Sequence, residues 1–262
     1  MFQPVLPLSG LSGWIMLNRT LETQTAAFNA APEITRDTEY FEATIASVST
    51  AEELVSDRRL LRVALGAFGL EDDLGNRFLI RKVLEGGVAD PQSLANALSD
   101  DRYAQLSEAF GFGSPVFGPR TAEPGFGAEI ITKFRARSFE VAVGNQDESL
   151  RLAMNAEREL EGIGLDSASE NARWFQIMGT PPLRAVFETA FGLPTGFGQL
   201  DIDRQLDEFK GAARDKLGVE SMDEFADPDT RERLIQTYLL REQVRNISGL
   251  SPQSIALTLL QV

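Results

Sequence analysis

Apolar side chains return along this chain at intervals of three, four and seven residues: Trp14, Leu17, Leu21 and Phe28; Phe41, Ile45 and Val48; Ile130, Phe134 and Val141. Such spacing lines one face of a helix of 3.6 residues per turn. The apolar-polar alternation of a half-buried strand is scarce, and its best instance, FEVAV at 139–143, lies inside a helical run. The pattern predicts an all-α, multi-helical chain of roughly a dozen short and medium helices.

Helix starts are signed by their chemistry. Thr50-Ala-Glu-Glu53 has the form of a capping box, in which hydroxyl and carboxylate each take a first-turn amide. Asp90-Pro91 and Ser251-Pro252 place an acceptor before a proline that has no amide to satisfy, and Pro181-Pro182 marks a further start. The longest helical pattern, 128–163, carries Gly144 near its middle and predicts a central hairpin of two long helices.

Ala-Phe-Gly-apolar occurs three times, ending in Gly69, Gly111 and Gly192, each time where a helical pattern stops. A left-handed glycine with an apolar residue folding back on the helix is the expected structure, with Leu70 on Leu65, Phe112 on Leu106 and Leu193 on Phe187. The surroundings repeat as well: a helix after Gly69 runs to Gly87-Val88, a short helix and Asp101, and a helix after Gly192 runs to Gly218-Val219, a short helix and Asp229. This predicts an internal duplication whose periods are too unequal for a solenoid. The organisation expected is an N-terminal segment and helix (1–36), a first helical unit (37–112), a Gly/Pro-rich loop (113–127), the hairpin and its connector (128–180) and a second helical unit (181–262), together one compact domain.

Composition narrows the chemistry. The chain has 262 residues, 43% of them hydrophobic and 24% charged, an ordinary globular mix. Its net charge of −14 is evenly spread: residues 1–140 hold 13 of the 25 basic and 19 of the 39 acidic side chains, leaving 12 and 20 for the remainder. No basic face is hidden behind the average, so nucleic acid and anionic membrane surfaces are not expected partners. Cysteine and histidine are both absent, which removes thiolate and imidazole metal sites, disulfides and every Ser-His or Cys-His nucleophile. The N-terminal MFQPVLPLSG has no Lys or Arg ahead of its apolar residues and is interrupted by Pro4 and Pro7, unlike a cleaved signal peptide; a cytoplasmic location is expected, unless a dedicated machine exports the protein.

Nucleotide motifs fail: the phosphate-loop pattern is missing, and GFGSPVFG neither spaces its glycines correctly nor follows a strand. No cofactor is expected. Carboxylates offer the remaining enzymatic route, with Glu71-Asp72-Asp73 and the group Asp201, Asp203 and Asp207 as possible oxygen ligands for magnesium or calcium. Both groups fall at first turns of helices, where exposed amides favour carboxylates in any case. Arg58, Arg59, Arg62, Arg231, Arg233 and Arg241 read as solvated helix faces among acids. Candidates for partner binding are Phe2 and Leu6 in the apolar N-terminal segment, Phe112, Phe117 and Phe126 around the loop, and the apolar segment 255–262.

The strings NRTLETQTAAFNAAPEITRDTEYF, LVSDRRLLRVALGAFGLEDD, FLIRKVLEGG and SLANALSDDRYAQLSEAFGFG resemble a bacterial family known as domain of unknown function twelve-seventeen, and FEVAVGNQDESLRLAMNAERELE and PPLRAVFETAFGLP extend the resemblance over most of the chain. The resemblance implies an all-helical protein, often encoded among flagellar genes, with no catalytic residues to carry over. A non-enzymatic protein acting by protein-protein contacts in flagellar assembly or structure is therefore the expected function. An export chaperone for a flagellar substrate and a carboxylate-dependent metal enzyme are the alternatives.

Overall fold

A computed structural model describes residues 3–114, 116–194 and 196–248. Phe2 and the segment 255–262 lie outside the described residues. The described residues form thirteen α-helices and no strand, with mostly short connections and one long one between Phe110 and Phe126, and FEVAV is part of a helix. Among the described residues no helix is long and apolar enough to cross a membrane.

Packing divides the residues into two units: Arg19–Asn145 with the N-terminal residues up to Val5, and Leu6–Asn18 with the chain from Gln146 onward. Helix α1 (Gly10–Asn29) thus contributes to both. The first unit continues with α2 (Pro32–Thr44), α3 (Ala51–Ser56), α4 (Arg58–Gly66), α5 (Arg77–Gly86), α6 (Leu94–Ala97), α7 (Arg102–Phe110) and α8 (Phe126–Gly144). Its spine is α4, whose Leu60, Leu61, Val63, Ala64 and Leu65 are all buried while Arg58 and Arg59 lie on an exposed face. The apolar face of such a helix must be covered, and α2, α3, α8 and a 3-10 turn at Glu71–Gly75 pack against it.

Local chemistry sets the starts of these helices. The capping box forms as expected: Glu53 N donates to Thr50 Oγ1 at 3.2 Å and Thr50 N to Glu53 Oε2 at 3.1 Å. Asp57 caps α4 by accepting from the amides of Arg59 and Leu60 at 2.8 and 3.1 Å. The arginines read as solvated have more specific work. Arg62 pairs at 3.0 Å with the buried Asp37 of α2, and Arg59 lies over the Tyr40 ring, 4.0 Å from its centre. Both fasten α4 to α2, because a carboxylate taken out of water is stable only when a cation and hydrogen bonds go with it.

The second unit holds α9 (Glu148–Leu165), α10 (Glu170–Gly179), α11 (Pro181–Phe191), α12 (Ile202–Leu217) and α13 (Pro228–Ser248), with 3-10 turns at Phe197–Gln199 and Met222–Ala226. Trp174, Phe187, Phe191, Phe209 and Phe225 form its aromatic centre, the Phe187 and Phe191 rings meeting edge to face at 5.4 Å. Trp14, from the first half of α1, is buried in this unit and donates from Nε1 to Glu232 Oε2 at 2.9 Å. Buried Arg231 departs from the expected solvated face. It meets Glu157 of α9 at 3.0 Å and donates to the carbonyls of Phe225 and Ala226, each at 2.9 Å, so it staples the 222–226 turn to α9 and α13. Gly164 of α9 sits so close to this turn that a Cβ would lie 2.9 Å from the Phe225 carbonyl carbon and would overlap the Ala226 amide nitrogen.

All three recurrent glycines are left-handed, as expected: Gly111 (φ 69°) and Gly192 (φ 59°) cap α7 and α11 directly, and Gly69 (φ 70°) closes the turn three residues after α4. The amides of Leu70 and Leu193 reach back to the carbonyls of Leu65 and Glu188, both at 2.9 Å. Phe112 stacks on Phe110, ring centres 5.9 Å apart, and Arg120 N donates to the Phe110 carbonyl at 3.0 Å. Helix, glycine, 3-10 turn, helix, glycine, helical turn and helix follow one another in this order both from α4 to α7 and from α11 to α13. The long pattern 128–163 breaks after Gly144, at Asn145–Asp147, where Asp147 caps α9 through the Ser149 and Leu150 amides; the two helices of the expected hairpin belong to different units.

Candidate functional site

Of the residues singled out in the sequence, Phe126 is core, 1% exposed and edge to face with Phe110 at 5.2 Å. Phe112 is half-buried on the same ring, and Leu6 is half-buried in the second unit. Phe117 is the outward one of the three loop phenylalanines, 88% exposed beside Val116. Asp201 caps α12 by accepting from Asp203 N at 3.0 Å, while Asp203 and Asp207 are exposed. Among the described residues no three carboxylates gather closely enough to hold a metal ion. Asp73, from the other acidic group, accepts from the Tyr103 hydroxyl at 2.5 Å and from Asn76 Nδ2 at 2.6 Å.

A groove of about 730 Å³ lies elsewhere, in the second unit, walled by the start of α9, the C-terminal end of α11 and the last turns of α13. Its geometry follows from α13. Leu234, Ile235, Tyr238 and Leu239 make the buried stripe, and Leu240 and Val244, one turn apart on a second face, are 49% and 63% exposed at the groove. The end of α11 contributes Glu188, Gly192, Leu193 and Pro194, and α9 contributes Glu148 and Leu152. Arg184 holds Glu188 at 2.7 Å, and Arg245 holds Glu242 at 3.1 Å.

Tyr238 is the unusual group. It is 2% exposed and lines the groove. Burial, then the carboxylates of Glu242 and Glu148, push its phenol well above the ordinary tyrosine range, so it remains a neutral donor and acceptor. Glu242 is paired through both carboxylate oxygens with the Arg245 guanidinium at 3.1 Å. Two cations meet the C-terminal end of α11: Lys216 Nζ donates to the Phe191 carbonyl, and a side chain at Gly192 would run into the Arg241 guanidinium. Burial and the nearby Arg241 lower the Lys216 pKa. Both cations stand where a helix C-terminus presents unpaired carbonyls and partial negative charge. The Ser149 hydroxyl at the groove donates to Asp147 Oδ1 at 2.5 Å. What the groove offers is apolar surface and hydrogen-bonding capacity.

Sequence reasoning missed this groove because it placed Arg241 on a solvated face and looked for ligands at the glycine loop. The available signal was in TYLLREQV at 237–244, where Leu240 and Val244 are apolar residues beyond those the core stripe uses.

The sequence profile of the family described as Protein of unknown function (DUF1217) matches residues 67–230. No match occurs among curated proteins. The crystal structure of protein AGR_C_984 from Agrobacterium tumefaciens is similar, with a TM-score of 0.73 and 25% sequence identity over 93% of this chain and 99% of that one. The fold and the length of the profile match agree with the resemblance carried by the sequence strings, and the chain belongs to the DUF1217 family.

Proposed function

We propose that the protein acts without catalysis, by protein-protein contacts in flagellar assembly or structure. The observation that carries the contact reading is the α9/α11/α13 groove, where Leu240 and Val244 put apolar surface in solvent beside the neutral phenol of Tyr238. Exposed apolar surface around a concavity is what a binding surface leaves open in the unbound state. The flagellar setting rests on the sequence resemblance and its implied gene context. The test is an in-frame deletion in the native host, scored for swimming and filament formation. Loss of either, restored by the wild-type gene, supports the reading; normal swimming with normal filaments overturns it.

A further inference from the structure

We propose that the α9/α11/α13 groove seats the chain's own C-terminal segment, residues 252–262, folded back along α13 as an uncharged amphipathic helix. This deepens the protein-contact reading and rests on it for its consequence: a partner reaches the groove only by displacing this segment.

Continuity gives the first argument. Residues 249–262 follow α13 directly and lie outside the described residues. The last turns of α13 are one wall of the groove, so the segment leaves the fold beside it. Gly249 stands where a helix stop is expected, and Ser251-Pro252 has the form of a new start. The connection between them has the length usual between antiparallel helices. A helix over 252–262 is about 16 Å long, enough to run back past Leu240. So short a tether holds the segment at a millimolar effective concentration, far above that of a second copy in solution.

Pattern gives the second. Ser254, Thr258 and Gln261 recur at i, i+4 and i+7; Ile255, Leu259 and Val262 do the same one position on, with Ala256 and Leu260 beside them. These are one polar and one apolar face of a helix. Ile255 and Leu259 have the i, i+4 spacing of Leu240 and Val244, which are 49% and 63% exposed, and Leu152 and Leu193 line the groove with them. An amphipathic helix in an apolar trough is the packing such faces allow.

Charge selects the occupant. The acids at the groove are already paired within the chain, Glu148 with Arg151 at 2.7 Å, Glu188 with Arg184 at 2.7 Å and Glu242 with Arg245 at 3.1 Å. Arg241 stands at the carbonyl end of α11. A charged segment entering the groove would have to break one of these pairs or lose water without a counter-charge, and either is costly. Residues 249–262 hold no Asp, Glu, Lys or Arg, in a chain where 24% of residues are charged. An uncharged apolar helix loses no charge hydration there and removes its own apolar surface from water.

The test exploits a chain without cysteine, in which two introduced thiols report on each other alone. In the full chain, Thr189→Cys on the α11 wall is combined with single substitutions to Cys at positions 254–261 in turn, and disulfide formation under mild oxidation is followed by gel mobility. Bridging needs Cα atoms within about 7 Å. Intramolecular bridges are expected at positions three or four apart, about tenfold or more faster than at those between them. Ser149→Cys, on the α9 wall, supplies an independent anchor should Thr189→Cys fail to fold. Asp203→Cys, exposed on α12 and not at the groove, should give no bridge. Leu240→Lys with Val244→Lys should slow the groove bridges about tenfold or more. Circular dichroism should show that this exposed pair leaves the fold intact.

Uniform rates along the segment, bridges to Asp203→Cys as fast as to the groove, or no effect of the two lysines overturns the proposal. Bridges that form only between chains overturn it as well and make a second copy the occupant. Groove bridges in a protein whose deletion strain swims normally would retain this inference and remove the flagellar reading. A non-motile deletion strain whose protein forms no groove bridge would do the reverse.

Discussion

Arg231 and Glu157 meet at 3.0 Å inside the second unit, and the same guanidinium closes on the carbonyls of Phe225 and Ala226. Three acceptors from two separate stretches of chain therefore depend on one side chain that is 4% exposed. Arg231→Met keeps the apolar stem and removes the donors, leaving two carbonyls and a carboxylate unsatisfied. A loss of about 3 kcal/mol is expected. Urea unfolding of the variant against wild type measures it, and Glu157→Gln, which keeps an acceptor, should cost less.

Gly164 gives the opposite sign from the one helix propensity suggests. Alanine in mid-helix is favoured over glycine by about 1 kcal/mol, but here a Cβ would press on the backbone of the 222–226 turn. Backbone cannot swing aside as a side chain can. Gly164→Ala should therefore destabilise by roughly 1–3 kcal/mol, whereas Gly211→Ala on α12, where a Cβ meets nothing within 4 Å, should be neutral or stabilising. Thermal melts of the pair decide it.

Phe126 and Phe117 separate core from surface within one loop region. Phe126→Ala removes a 1% exposed ring from the aromatic stack on Phe110 and should cost about 3–5 kcal/mol. Phe117→Ser, at an 88% exposed site, should change stability by no more than about 0.5 kcal/mol. Chemical denaturation of both variants checks the contrast.

These comparisons show what was legible in the residues. The α4 run RRLLRVALG announces a spine, and its start is announced by Asp57, since short-range chemistry decides caps. The glycine stops at Gly69 and Gly192 were readable for the same reason. The destiny of Phe126 and Arg231 was not, because a phenylalanine beside glycines and an arginine among acids have the same local signature whether they face water or a neighbour distant in sequence. Glu157 is 74 residues from Arg231. The groove is a product of such pairings: α9, α11 and α13 supply its walls, and no one of them carries its outline.

Asp57 links stability to acid. Burial raises its pKa, yet the Tyr40 hydroxyl and the Leu60 and Arg59 amides together outweigh burial, and the folded value falls below the ordinary one of 3.8. A depressed carboxylate stabilises the fold above the unfolded pKa and loses that contribution as pH falls through the folded value. Stability measured from pH 6 downward should decline on passing below about pH 4. Asp57→Asn should be less stable than wild type at pH 6 and should show a shallower acid decline.

Asp201 distinguishes a cap from a ligand. With its carboxylate on Asp203 N and the neighbouring acids in solvent, millimolar magnesium, manganese or calcium should leave the melting temperature unchanged, because only binding to the native state raises it. Asp201→Ala should lower stability by about 1 kcal/mol, as loss of an N-cap does. A metal-dependent rise that disappears in Asp201→Ala would count against the capping assignment.

The hydrogen bond from Trp14 to Glu232 spans 218 residues of sequence. At ordinary translation rates of about 5–20 residues per second, an indole that leaves the ribosome early waits roughly 10–40 s before its acceptor is even synthesised. Throughout that interval all of Arg19–Asn145 is synthesised between the two stretches of sequence that make up the second unit. The second unit therefore cannot close before residue 232 is made, and Trp14, buried in the finished fold, is an early-made side chain that waits for a late-made partner.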